Sequence, residues 1–164
     1  MAGKLTGLQT VIGNLNKEKV VLHQKSLKGL IDAAIIVRRA TDKEMPKIPV
    51  DTGNLRASWF ATTIKSTTKG GTFKGKDAAE LKSGHSQVVS IAKGAVSAIR
   101  HPALIMGFSA NYAAFVHEME GAQFSGRKGK KSGREGSGAK FFESAINNHK
   151  GEILGILAKN TYIK

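Results

Sequence analysis

Apolar residues recur at helical spacing near both ends of the chain. Within the N-terminal segment (residues 1–16), residues 5–15 predict a short helix. Residues 17–43 predict a longer helix for which Asn16 is a suitable N-cap. Residues 140–160 predict a third amphipathic helix, which its internal glycines weaken toward the end.

Between these helices the pattern changes to one typical of strands. Residues 55–66 alternate with period two, and residues 87–92 and 103–109 are short apolar runs rich in branched side chains. Residues 112–118 fit either helical turns or a further strand. We therefore predict one α+β domain over residues 1–164, with the long N-terminal helix and the C-terminal helix packed on a small antiparallel sheet. The side chains expected in its core are Leu27, Ile31, Ile35, Trp59, Ile105, Phe142 and Ile146.

Positive charge is concentrated in two segments rich in glycine and hydroxyl residues. The chain has 26 Lys and Arg against 12 Asp and Glu, a formal net charge of +14. Residues 67–86 and 121–139 lack a pattern that would bury a face, so we expect flexible basic loops there, either solvated or ordered by a partner. The cations of the second loop are Arg127, Lys128, Lys130, Lys131 and Arg134. Such charge suits contact with nucleic acid or an acidic protein surface.

Several classes of chemistry find no support in the sequence. The absence of cysteine excludes disulfides and thiolate metal sites. The five histidines do not show metal-ligand spacing, and the glycines near residue 70 lack the order of a nucleotide-binding loop. No apolar run approaches a membrane span or a signal peptide, which favours a protein made and kept in the cytoplasm. We expect no cofactor, no membrane contact and no enzymatic activity.

A dense turn joins the long helical pattern to the first strand-like one. Pro49 restricts its own φ and keeps Ile48 out of the helical region, so a helix cannot continue through it. Asp51 and Thr52 have short side chains that can accept hydrogen bonds from nearby backbone, and Gly53 tolerates positive φ. The residues that define this first landmark are Pro49, Asp51, Thr52, Gly53, Leu55, Arg56 and Ser58.

Two further landmarks follow in a fixed order, and the three together resemble one protein family. The second lies in residues 107–118 and consists of Tyr112, Ala113, Val116, His117 and Glu118. The third opens the last helix with Phe141, Phe142 and Ala145. The set is similar to the tail-completion proteins (neck, or head–tail connector proteins) of long-tailed double-stranded DNA phages. The chain departs from that pattern in its long basic loop after Gly121 and in lacking a proline before the last helix.

The resemblance implies a structural virion protein located in the neck and tail after assembly in the host cytoplasm. Such proteins form closed rings, which family resemblance makes hexameric here, between a head-side connector or stopper protein and a tail terminator or tail tube protein. A mixed function is left open, in which loops near a ring lumen contact the phosphates of packaged DNA without reading its sequence.

Two other functions compete with this one at the level of sequence. The net charge alone suits a nucleic-acid-binding protein, although the basic loops contain few aromatic residues for stacking on bases. The tripeptide Asp51-Thr52-Gly53 is that of aspartic proteases, in which two carboxylates share a proton. The short side chains of this tripeptide also suit a structural turn, which is the interpretation we favour.

Overall fold

The computed structural model describes residues 7–122, 124 and 135–162 of the chain. In chain order, its elements are α1 (Leu8–Lys43), α2 (Asn54–Ala57), β1 (Trp59–Thr62), β2 (Thr67–Lys69), α3 (Ala78–Ser97), β3 (Ile105–Phe108), α4 (Ala113–Glu118), α5 (Phe141–Asn148) and α6 (Lys150–Thr161). The predicted α+β class is confirmed: a long N-terminal helix and shorter C-terminal helices accompany a small three-stranded antiparallel sheet.

Helix α1 is one continuous element of 36 residues, so the prediction of two helices divided at Asn16 is wrong. The helix begins after Gly7, whose φ of 96° lies in the left-handed region. An asparagine inside a helix costs less than about 0.7 kcal/mol, and interrupting a formed helix requires a new, unfavourable nucleation step. Asn16 is therefore tolerated inside α1.

The sheet has the strand order β2-β1-β3, and both pairs are antiparallel. In its register, Trp59 pairs with Phe108 and Thr62 pairs with Ile105. The predicted strand over residues 55–66 is too long at both ends, because residues 54–57 form α2 and the strand covers residues 59–62. All four residues of β1 are buried, since the strand is covered on both faces.

One layer of helices covers each face of the sheet. Ala34 of α1 packs with Trp59 and Ala61, while Phe60 packs on the other face with Val89 and Ala92 of α3. The predicted strand at residues 87–92 is therefore wrong, because it lies within α3. His85, Val89, Ala92 and Val96 are the buried residues of α3, and their spacing is helical.

Two further predictions are corrected, and one segment that the sequence left open is assigned. The expected loop at residues 67–86 contains β2 and the first part of α3, which leaves residues 70–77 as the connection. Residues 112–118, which periodicity left open, contain the short helix α4. The single C-terminal helix is divided at His149, whose φ of −103° departs from helical geometry.

The C-terminal helices pack mainly on α1. Ala145 of α5 and Ile153 of α6 lie against Val37 and Ala40 of α1, and Met106 joins this cluster from β3. Among the predicted core side chains, Leu27 and Trp59 are buried, and four others are partly buried: Ile31, Ile105, Phe142 and Ile146. Ile35 is 44% exposed, so its assignment to the core is wrong.

Candidate functional site

The first landmark forms a tight turn between α1 and β1. Gly53 has a φ of 86° and precedes α2 directly. The hydroxyl of Thr52 accepts a hydrogen bond of 3.5 Å from the backbone N–H of Asn54. Asp51 and Thr52 are exposed, whereas Leu55 is buried in the core. The turn thus presents its polar residues to solvent and anchors itself through its apolar one.

Asn54, which the sequence analysis did not single out, fastens the turn to the connection between β2 and α3. Its side-chain amide donates to the Lys74 carbonyl, and its side-chain oxygen accepts from the Lys74 N–H, both at 2.8 Å. The residue is buried. No local signal reveals this role, because the partner lies 20 residues further along the chain.

Arg56 ties the turn back to the end of α1. Its Nε and one terminal nitrogen donate to the two carboxylate oxygens of Asp42, at 2.8 and 3.1 Å. Arg38 also contacts Asp42, at 2.9 Å, and lies 5.8 Å from the centre of the Trp59 ring. The paired donors of an arginine fit a carboxylate in this two-point geometry, which fixes the angle between α1 and the turn.

Ser58 is fully buried and connects the turn to β3 and α3. Its hydroxyl donates to the Leu55 carbonyl at 2.8 Å, and its own carbonyl accepts from the Ser109 N–H at 2.9 Å. The Ser109 hydroxyl lies 2.6 Å from Nδ1 of His85. Burial, followed by the nearby Lys69 ammonium, lowers the pKa of His85 below its usual value. This environment therefore favours the neutral imidazole.

The second landmark lies beside the first. Tyr112 and Val116 line a cavity of about 200 Å³ together with residues 49–55 and Phe124. Burial raises the pKa of the Tyr112 phenol, and the carboxylate of Asp51 raises it further. Two stretches of the chain that are separated by more than 50 residues thus form one surface depression.

His117 and Glu118 connect the second landmark to the start of α5. Nδ1 of His117 is 2.6 Å from a Glu118 oxygen, and Nε2 accepts from the Glu143 N–H at 3.4 Å. Lys140, which has a φ of 55°, donates its backbone N–H to the His117 carbonyl at 2.7 Å and its ammonium to Glu118. Lys140, and then His117, lower the pKa of Glu118, while Glu118 raises the pKa of Lys140.

The third landmark joins the other two in the core. Phe141 is 1% exposed and packs with Leu55 of the first landmark and Ala113 of the second. Its ring meets those of Phe108 and His117 edge to face, with centres 5.5 and 5.2 Å apart. All three landmarks therefore contribute to one apolar cluster.

The basic loop leaves and re-enters the fold at this same site. Phe124 lines the cavity, and the backbone of Lys47 bonds to Gly136 and Gly138, at 2.7 and 3.1 Å. The predicted interface cations themselves lie outside the described residues: Arg127, Lys128, Lys130, Lys131 and Arg134.

The Asp51-Thr52-Gly53 tripeptide occupies an exposed turn that leads into a helical turn. In an aspartic protease, by contrast, we would expect this tripeptide to follow a buried strand and to face the tripeptide of a second copy.

Within the described part of the chain, no group of three His, Asp or Glu side chains is arranged to hold a metal ion. The described helices also include none with the length and apolar character that a membrane span requires.

A second depression lies on the opposite side of β1, at the start of α3. Its volume is about 420 Å³, and its wall includes Lys69, Lys82 and His85 with the glycines at 70 and 71. None of the described residues in this wall carries a carboxylate. Its chemistry therefore suits an anion.

Comparison of the chain with protein-family models, with curated proteins and with solved structures gave no match.

Proposed function

We propose that this chain is a structural virion protein, a subunit of the tail-completion (neck) ring that joins a phage head connector to the tail tube. The observation that carries the proposal is the meeting of the three landmarks in one cluster, through Leu55, Ala113 and Phe141. Sequence order alone does not require such a meeting. A shared scaffold explains why these residue types recur in a family that performs no chemistry.

The position of the basic loop supports the same proposal. The loop begins beside the cavity at Phe124 and returns to Lys47, next to the first landmark. It is therefore attached beside the first landmark, which Asn54 and Arg56 bond to other parts of the fold. In the proposed ring, the loop would contact a neighbouring subunit, the head-side connector or stopper protein, or the tail terminator or tail tube protein. Nonspecific contact with packaged DNA belongs to the same proposal.

Loss of the protein tests this function directly. In particles grown without the gene product, we expect filled heads and complete tails that remain unjoined in negatively stained images. Expression of the wild-type chain in trans should restore joined particles, and labelled antibody should mark the neck. Normally joined particles without the protein would exclude a neck function.

Nonspecific nucleic-acid binding is the second candidate, and the depression beside Lys69 and Lys82 is the observation that favours it. Under this alternative, duplex DNA binds with an affinity that falls steeply with salt, because released counterions drive it. Replacing both lysines with serine should then weaken binding several-fold more than replacing Lys43 and Lys93, two exposed lysines elsewhere. Equal effects of the two pairs would assign the binding to net charge alone.

A further inference from the structure

The first half of α1 carries large apolar side chains that nothing in the described chain covers. We call residues 8–24 of α1 the arm. From residue 8 to residue 21, every arm residue except Gly13 is exposed, and the first buried residue of the helix is Leu27. The exposed large apolar residues of the arm are Leu8, Val11, Ile12, Leu15, Val20 and Val21. Patches of this kind mark contact surfaces on folded proteins.

The arm continues the face of α1 that α6 covers further along. Leu8, Leu15 and Leu22 stand at seven-residue intervals with Gly29, and Gly29 lies against the Asn160 side chain near the end of α6. Seven residues are close to two helical turns, so these four positions share a face. Since α6 ends at Thr161, this face is buried at Gly29, partly buried at Leu22, and exposed at Leu15 and Leu8 within the described residues.

Lys19 lies within this face, and its charge indicates which groups a partner surface must offer. Lys19 follows Leu15 by four residues and precedes Leu22 by three, which places it in the apolar stripe. The residues three and four positions from Lys19 include no carboxylate that could pair with it along the helix. An ammonium enclosed by a partner is costly unless it meets an opposite charge. The covering surface therefore has to offer apolar area and a carboxylate together.

The chain presents such a surface on α4. Phe115 is 67% exposed there, and three exposed carboxylates, those of Glu118, Glu120 and Glu143, surround the ammonium of Lys140. We call these five residues the α4 patch. Its excess of negative charge complements the arm, whose own charged residues are two lysines and one glutamate, Lys17, Lys19 and Glu18.

The arm cannot reach the α4 patch of its own chain. The α4 patch belongs to the cluster around α5, which packs on the far half of α1 at Val37 and Ala40. Helix α1 is unbroken over 36 residues, which at ~1.5 Å per residue amounts to about 54 Å. A continuous helix does not fold back on itself, so the contact has to be between copies.

We infer that the arm of one copy docks on the α4 patch of a second copy, with Leu15 against Phe115 and Lys19 against Glu120. Because the two surfaces differ, the contact is head to tail. Successive copies form a ring when the rotation that relates neighbouring copies closes on itself. This inference rests on the proposed neck function and names the contact that would build its ring. The arm and the α4 patch then have complementary roles in each subunit.

Cysteine cross-linking tests the contact, because the wild-type chain contains no cysteine. Two full-length populations, one carrying Leu15→Cys and the other Glu120→Cys, are mixed and treated with a bismaleimide. We expect a cross-linked dimer in the mixture and little in either population alone. A matched control replaces Leu15→Cys with Ile91→Cys, an exposed apolar site on α3, and should give no product.

A charge exchange adds specificity to the test. Lys19→Glu alone and Glu120→Lys alone should each weaken self-association in sedimentation velocity by about tenfold or more, a factor that corresponds to ~1.4 kcal/mol. The two changes combined in one chain should restore it. Circular dichroism of every variant should match the wild type, since both sites are exposed.

Each other result would overturn the inference. A product formed mainly by Leu15→Cys with itself means that arms pair with arms, and a chain that stays monomeric without any cross-link means that the arm has no partner of its own kind. These results do not decide the neck function, which is tested separately by whether particles without the protein remain unjoined.

Discussion

Gly53 and Asn54 are neighbours in the first landmark but stabilise the turn in different ways. Gly53 supplies a backbone conformation, with a φ of 86°, that other residues rarely adopt. Asn54 supplies two hydrogen bonds that hold the loop at Lys74. Both contributions are conformational, which agrees with an interpretation of the motif as a structural turn.

Replacing Gly53 with alanine should lower the free energy of unfolding by about 1–2 kcal/mol, the cost of placing a β-carbon in the left-handed region. An added β-carbon would have nothing within 4 Å, so backbone strain, not a steric clash, is what destabilises the variant. Gly71→Ala is the matched control, because that position has open space and no positive φ. Urea unfolding of both variants should show the loss for Gly53 only, and equal stabilities would contradict the backbone argument.

Replacing Asn54 with alanine removes both bonds to Lys74. Each net hydrogen bond contributes about 0.5–1.5 kcal/mol, so we expect a total loss of roughly 1–3 kcal/mol. Hydrogen exchange at the Lys74 amide should accelerate, since its acceptor is gone. Asn111→Ala, at an exposed asparagine, should leave both measurements unchanged. Unaltered exchange at Lys74 in the Asn54 variant would mean that other contacts hold the loop.

At the scale of elements, the sequence predicted the position of helices and strands best where periodicity and burial agree. Residues 103–109 contain β3 as expected, whereas residues 87–92 belong to a helix despite their branched side chains. Val88 and Ile91 are exposed on α3, so their apolar character did not report burial. The continuity of α1 was also missed, because a good capping residue such as Asn16 indicates a helix start only when the preceding residues are not helical.

His149, at the junction of α5 and α6, contributes to the stability of the folded state in a way that depends on pH. His149 lies 2.8 Å from both Glu152 and Glu44, the latter at the end of α1. Glu152, and then Glu44, raise the pKa of His149 above its usual value near 6.5. A raised pKa means that the imidazolium stabilises the folded state fully below about pH 6.5, and that this contribution is lost as pH rises through the raised value.

The prediction is tested by comparing the wild type with His149→Gln. The wild type should have a larger free energy of unfolding than His149→Gln at about pH 5.5. This difference should disappear at about pH 9, above the raised pKa. His85 acts with the opposite sign, because its lowered pKa removes stability as pH falls below about 6.5. Since both chains keep His85, its effect cancels in the difference. A difference that does not change with pH would contradict the role of the ion pairs.

At the scale of the whole molecule, the meeting of the landmarks was beyond reach from sequence. The order of the landmarks was visible, but the contact between Leu55 and Phe141 joins residues more than 80 positions apart. Nor could the sequence reveal Asp42 as the partner of Arg56, since Asp32, Glu44 and Asp51 also precede that arginine. Long-range pairs of this kind follow from the complete packing, not from local pattern. The same packing anchors both ends of the basic loop beside the first landmark.

The basic loop yields the last prediction, which separates charge from position. Serine at Arg127, Lys128, Lys130, Lys131 and Arg134 should leave the unfolding transition unchanged but produce heads that fail to join tails. The control removes five exposed cations elsewhere, at Lys43, Lys93, Arg100, Lys150 and Lys159. Both variants lose the same charge, so nonspecific DNA binding near physiological salt should weaken equally in the two. Only the loop variant should fail in a complementation assay. Normal joining by the loop variant, together with tight DNA binding by the wild type, would favour the nucleic-acid function, because a neck contact made through the loop cannot survive loss of its cations.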